Sequence, residues 1–198
     1  MPELLDHERL IVNQKAKLIE LTNEYKIRDE QGNEVGVIRQ EGQSGLRKLL
    51  RLVSSIDALL PVSLSVYDAG GRKVAGLRRG ATIWKSKIEI TDGGGAVIGR
   101  LVQENMVGKV RFGIEGAGGI RLGEMKAENW RAWDFAISDA SGAEVARITK
   151  KWAGLGKEMF TTADNYVVEL TPRVTGPLRV ITLAAAAGID TALKQSGG

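Results

Sequence analysis

The sequence predicts a mainly β protein with one added structural helix: a closed antiparallel barrel of about twelve strands around an apolar C-terminal α-helix. Two observations predict it. A short unit recurs five times: two apolar residues at period two, Asp two further on, Gly three later, then an apolar and a small residue. The second is an alanine-rich segment near the C-terminus that is apolar on every side. Period-two alternation marks a half-buried strand, and Asp-x-x-Gly supplies turn chemistry, so each unit is a β-hairpin.

The five copies are Tyr25-Ile27-Asp29-Gly32-Val35-Gly36, Leu64-Val66-Asp68-Gly71-Val74-Ala75, Ile88-Ile90-Asp92-Gly95-Ile98-Gly99, Phe112-Ile114-Gly116-Gly119-Leu122-Gly123 and Phe135-Ile137-Asp139-Gly142-Val145-Ala146. The fourth carries Gly in place of Asp. The last four follow one another at 24, 24 and 23 residues, spacing suited to a closed sheet. Residues 1–9 are polar and read as a frayed end. Leu10-Ile11-Val12 opens the first strand, and Tyr166 to Leu170 forms the last. Residues 10–198 are then one domain, with no linker-like gap between hairpins.

Residues 44–60 break the β rhythm. Apolar residues at 46, 49, 50, 53, 56 and 60 have helical spacing, with Ser44 as N-cap and Pro61 as a stop. Arg47, Lys48 and Arg51 lie on the other side of that amphipathic helix, which either packs outside the sheet or meets a membrane. After Pro177 the chain runs Leu-Arg-Val-Ile-Thr-Leu-Ala-Ala-Ala-Ala-Gly-Ile-Asp, a helix placed at about 177–194. Its uncharged stretch, Val180 to Ile189, spans about 15 Å, half of a ~30 Å hydrocarbon core. It is therefore expected to be buried in protein. A twelve-stranded barrel is too wide for its own side chains to fill, so the helix and the sheet explain each other.

Composition narrows function. There is no Cys, which excludes disulfides, thiol catalysis and Cys-ligated zinc. His7 is the one histidine, so a Ser-His-Asp triad or multi-His metal site is not expected; it reads as a solvated terminal residue. Asp29, Asp68, Asp92 and Asp139 are spread over separate turns and read as turn formers rather than a catalytic cluster. Asp92-Gly-Gly-Gly joins two strands and opens no helix, so it lacks the dipole of a phosphate loop. Trp84, Trp130, Trp133 and Trp152 fall near strand ends, where aromatics close a sheet core.

Net charge is +4 with a pI of about 9.4, which permits an anionic partner. Basic pairs stand at Arg72 and Lys73, Arg78 and Arg79, Lys85 and Lys87, and Lys150 and Lys151. Of these and the 44–60 helix, Arg47, Lys48, Arg51, Arg78, Arg79, Lys150 and Lys151 are the candidates for contacting lipid head groups. No recognition helix or stacking strip points to nucleic acid. The N-terminus has no basic-then-apolar leader pattern, so a cytoplasmic protein, peripherally membrane-associated at most, is expected.

One stretch carries a family likeness. Ile148-Thr-Lys-Lys-Trp-Ala-Gly-Leu-Gly-Lys-Glu-Met-Phe-Thr-Thr-Ala-Asp-Asn-Tyr resembles the corresponding run of the phospholipid scramblase and LURP-one-related proteins. The matching residues are Ile148, Lys150, Trp152, Gly154, Lys157-Glu158, Phe160-Thr161, Ala163-Asp164-Asn165 and Tyr166, with Ile189-Asp190 further on. The resemblance implies a tubby-like barrel around a C-terminal helix, and association with phospholipid. It also makes Asp164 and Asn165 the candidate calcium ligands. Here Thr162, Arg173 and Thr175 stand where acids are found in scramblases, so too few carboxylates remain and no cofactor is expected. The function expected is non-enzymatic phospholipid or anionic head-group binding at a membrane surface. The alternatives are a protein-interaction scaffold and a calcium-dependent scramblase.

Overall fold

The computed structural model describes residues 3–14, 24–41, 61–80, 87–105, 110–129, 134–149 and 165–193. Twelve strands form one closed antiparallel barrel. They are β1 (Arg9–Gln14), β2 (Glu24–Arg28), β3 (Glu34–Gln40), β4 (Val62–Asp68), β5 (Lys73–Arg79), β6 (Lys87–Asp92), β7 (Val97–Gln103), β8 (Arg111–Gly116), β9 (Arg121–Asn129), β10 (Asp134–Asp139), β11 (Glu144–Thr149) and β12 (Asn165–Leu170). Each strand pairs with its neighbours in sequence, and β1 pairs with β12 to close the ring. The expected strand count and the five hairpins are all present.

The hairpin turns share one construction. In each, the N–H of the Asp, or of Gly116, donates to the carbonyl four residues on, and the N–H of the later Gly donates back to the Asp or Gly116 carbonyl, at 2.8 to 3.1 Å. The later Gly residues (32, 71, 95, 119 and 142) have φ between +76° and +89°, and the register shifts by a bulge beside every turn. A left-handed residue and a bulge are what a type I turn needs to follow the right-handed twist of a hairpin. The Asp adds a cap: Oδ1 of Asp92 accepts from the N–H groups of Gly94 and Ala96, both at 2.9 Å.

Register also explains the small residue that ends each of the first four units. Gly36 pairs with Asp68, Ala75 with Asp92, Gly99 with Gly116 and Gly123 with Asp139. Each small residue thus faces the start of the next turn. A Cβ on Gly36, Gly99 or Gly123 would sit 2.5, 2.4 or 2.1 Å from the carbonyl oxygen of Tyr67, Glu115 or Ser138.

The interior is apolar. Ile27, Ile38, Leu101, Ile114, Met125, Phe135, Ile137 and Val168 are buried along the inner face. Helix α1 (Gly176–Leu193) lies against β4 to β7 and β12, and residues 181–188 are buried. Since β12 runs towards the hairpin-turn end of the barrel, α1 enters there and threads inward. Small side chains permit the fit: a Cβ on Gly188 would lie 2.7 Å from Leu77 Cδ1, and one on Gly99 lies 2.6 Å from Ile181 Cδ1. Within the described residues the helix begins at Gly176, one residue before the expected start at 177.

Residues 3–9 depart from the expected frayed end. Glu3–Leu5 forms a 3-10 turn, Leu4 is fully buried against the barrel, and β1 begins at Arg9. Arg179, in the first turn of α1, fixes this segment by donating to the carbonyls of Leu5 and His7 (2.8 Å for the latter) and of Val174 (3.2 Å). His7 is correspondingly half-buried rather than solvated, and its Nε2 is buried with no hydrogen-bond partner among the described residues. The expected helix at 44–60 and the four tryptophans lie outside the described residues.

Candidate functional site

Most of the outer wall is neutralised by ion pairs. Arg9 meets Glu30 and Glu169, Lys26 meets Glu34, Arg39 meets Glu24, and Arg72 meets Asp68. Arg147 sits between Asp134 at 2.8 Å and Glu144 at 3.3 Å. Arg121 links Glu104 and Glu124, and Lys126 also meets Glu124. The Glu104 hydrogen bond raises Arg121 above its ordinary pKa, and the Lys126 hydrogen bond holds Glu124 below its own. Over β3 to β5, Glu41 accepts from the Tyr67 hydroxyl at 2.7 Å, lies 3.6 Å from Lys73, and raises the phenol's pKa through that hydrogen bond. The basic pair Arg72 and Lys73 is therefore consumed internally.

One flank differs. A groove of about 560 Å3 crosses β5, β6 and β7 and reaches the β8–β9 turn. Arg78, Lys87 and Arg100 line it with one carboxylate, Glu89, and an apolar edge of Val97 and Ala117. Cross-strand register creates this arrangement: Arg78 faces Glu89, Glu89 faces Arg100, and Arg100 faces Glu115. Arg100 is bonded to Glu115. Arg78 and Lys87 are exposed and form no ion pair among the described residues. A second groove, of about 520 Å3, lies over β1, β11 and β12, but its Arg9 and Arg147 face Glu8, Glu144 and Glu169. Only the first has an excess of positive charge, and unpaired cations beside apolar surface suit an anionic amphiphile.

Of the candidate head-group residues, Arg78 lines this groove. Arg79 does not belong with it. It shares the inner face with Ala75 and Leu77, is 2% exposed, and is enclosed by the barrel near the C-terminal half of α1. A cation there complements the negative end of a helix dipole. Adjacent residues of a strand point to opposite faces, so the two candidates Arg78 and Arg79 cannot both line the outer groove. Lys87 was legible only as half of a basic pair with Lys85. Arg47, Lys48, Arg51, Lys85, Lys150, Lys151, Trp152, Gly154, Phe160 and Asp164 lie outside the described residues. Asn165 opens β12 opposite Asn13. Among the described residues no three carboxylate or imidazole groups converge as a metal site. None of the described helices is long and apolar enough to cross a membrane.

A closed meander of twelve strands around an apolar C-terminal helix defines the class: a tubby-like barrel, here with a cationic groove on one flank. The family model described as scramblase matches residues 2–193, and the chain belongs to the scramblase family. A stretch of 37 residues is 46% identical to Altered inheritance rate of mitochondria protein 25 of Saccharomyces cerevisiae. That match covers 19% of this chain and 11% of the yeast protein. No solved structure matches the chain.

Proposed function

We propose that this scramblase-related protein is a non-catalytic, peripheral binder of anionic phospholipid head groups, held through the groove on β5 to β7. The observation that carries the reading is that Arg78 and Lys87 are exposed cations with no ion pair among the described residues, on a wall where most of the other described basic side chains have one. Family membership supports a lipid partner over other anions. Phosphate oxygens accept charge-assisted hydrogen bonds from guanidinium and ammonium groups, and such exposed contacts weaken as salt screens them.

Co-sedimentation with vesicles tests it. The protein is expected to sediment with phosphatidylcholine vesicles containing a quarter phosphatidylserine, and not with phosphatidylcholine alone. Binding should fall as salt is raised. Arg78→Glu with Lys87→Glu should abolish it, at about 1 kcal/mol for each cation removed near the surface and a like cost for each acid added. Equal binding by the double variant would refute the groove as the site.

A further inference from the structure

The groove has an apolar edge that the head-group reading does not use. Among the described residues two large hydrophobic side chains stand exposed, Val97 at 46% and Ile120 at 71%. A single exposed aliphatic residue is ordinary on any protein surface. These two are on consecutive hairpins at the same flank. Val97 begins β7 and lines the groove, and Ile120 stands on the β8–β9 turn, whose Gly116 and Ala117 line it as well.

That turn is also where the fivefold repeat is broken. Gly116 replaces the Asp, yet the backbone geometry survives: Gly116 N–H donates to Ile120 at 2.8 Å and Gly119 N–H to Gly116 at 2.9 Å. The substitution gives up the two side-chain caps that Asp92 and Asp139 make in their turns. It also leaves the turn without a carboxylate, and Ile120 stands exposed at the end of the same turn. Each change costs stability or solubility in water. Each favours contact with the interface of an anionic bilayer, where apolar side chains are covered and carboxylates are repelled.

We infer that the β5–β8 flank docks on an anionic lipid bilayer, with Ile120 and Val97 inserted below the head groups that Arg78 and Lys87 hold. The inference rests on the lipid-binding reading and adds its orientation and insertion. The β8–β9 turn is the wedge, and its five-residue sequence Gly-Ala-Gly-Gly-Ile carries no charge that insertion must desolvate.

The absence of cysteine allows a clean test. Ile120→Cys and, on the β2–β3 turn across the barrel, Gln31→Cys are each labelled with an environment-sensitive fluorophore. Both positions are exposed, so neither change disturbs the core. Each is mixed with phosphatidylcholine vesicles containing a quarter phosphatidylserine. The label at 120 is expected to gain intensity about twofold, shift to the blue, and be quenched by lipids spin-labelled near the head group; the label at 31 is expected to remain aqueous. Unlabelled Ile120→Ser should bind these vesicles about tenfold more weakly with an unchanged Tm. If the protein sediments with the vesicles while the label at 120 stays aqueous, insertion is wrong and head-group binding stands. If it does not sediment with them at all, both readings fall.

Discussion

At the scale of single residues, the turn aspartates tie the fold to pH. Burial alone would raise the Asp29 carboxyl, but the Asn33 side-chain amide and the N–H groups of Asn33 and Gln31 outweigh it and hold the pKa below its ordinary value. The Arg72 N–H, with its guanidinium, holds Asp68 low, and the Ser141 hydroxyl, with the N–H groups of Ser141 and Ala143, holds Asp139 low. A carboxyl whose folded pKa lies below its unfolded value stabilises fully above the unfolded value, about 3.9 for Asp, and loses that contribution as pH falls through the folded value. The Tm should therefore be insensitive to these groups above about pH 5 and decline below about pH 4. The triple variant Asp29→Asn, Asp68→Asn and Asp139→Asn should show a shallower decline between about pH 4 and 2 in thermal melts. An unchanged slope would mean that the caps do not carry the acid sensitivity. The turns were legible from Asp-x-x-Gly because their chemistry is local. Arg179 was not: its role depends on Leu5 and His7, more than 170 positions away.

At the scale of elements, the contact between β7 and α1 is the tightest test of packing. Gly99 faces both a neighbouring strand and the helix, and a Cβ there meets Glu115 O at 2.4 Å and Ile181 Cδ1 at 2.6 Å. The carbonyl belongs to a strand that is paired on both sides, so it has little room to retreat. Gly99→Ala should destabilise the protein by about 1–3 kcal/mol, as overpacking does. Gly118→Ala, on the β8–β9 turn with nothing within 4 Å, should stay within about 0.5 kcal/mol of the parent. Urea melts compare the two, and equal stability would overturn the packing argument. The recurring small residue was plain in the sequence, but its reason was not. A Gly in a strand can signal a bulge, a bend or a close approach. Only the register of Gly36, Gly99 and Gly123 against the next turn selects the last. The apolar periodicity of α1, by contrast, announced burial directly, because no charge interrupts residues 180–189.

At the scale of the whole molecule, sheet and helix are each incomplete alone. Without α1 the inner faces of β4 to β7 would lose Ile181, Leu183 and the alanines that cover them. A chain ending at residue 175 should lose its cooperative thermal transition, read by near-ultraviolet circular dichroism, even where strand content persists. A sharp melt for that truncation would show that the barrel closes on its own. The architecture was readable because hairpin count and helix composition pointed to the same solution. The functional flank was less so: its identity depends on which cations lack partners, and ion pairing across strands is invisible until register is known. The arrangement also sets a condition on synthesis. The ribosome makes all twelve strands before the segment that fills them, so the nascent sheet emerges with its greasy lining uncovered. Folding in the cell must then keep that lining from sticking to other chains until the last turns of α1 are released.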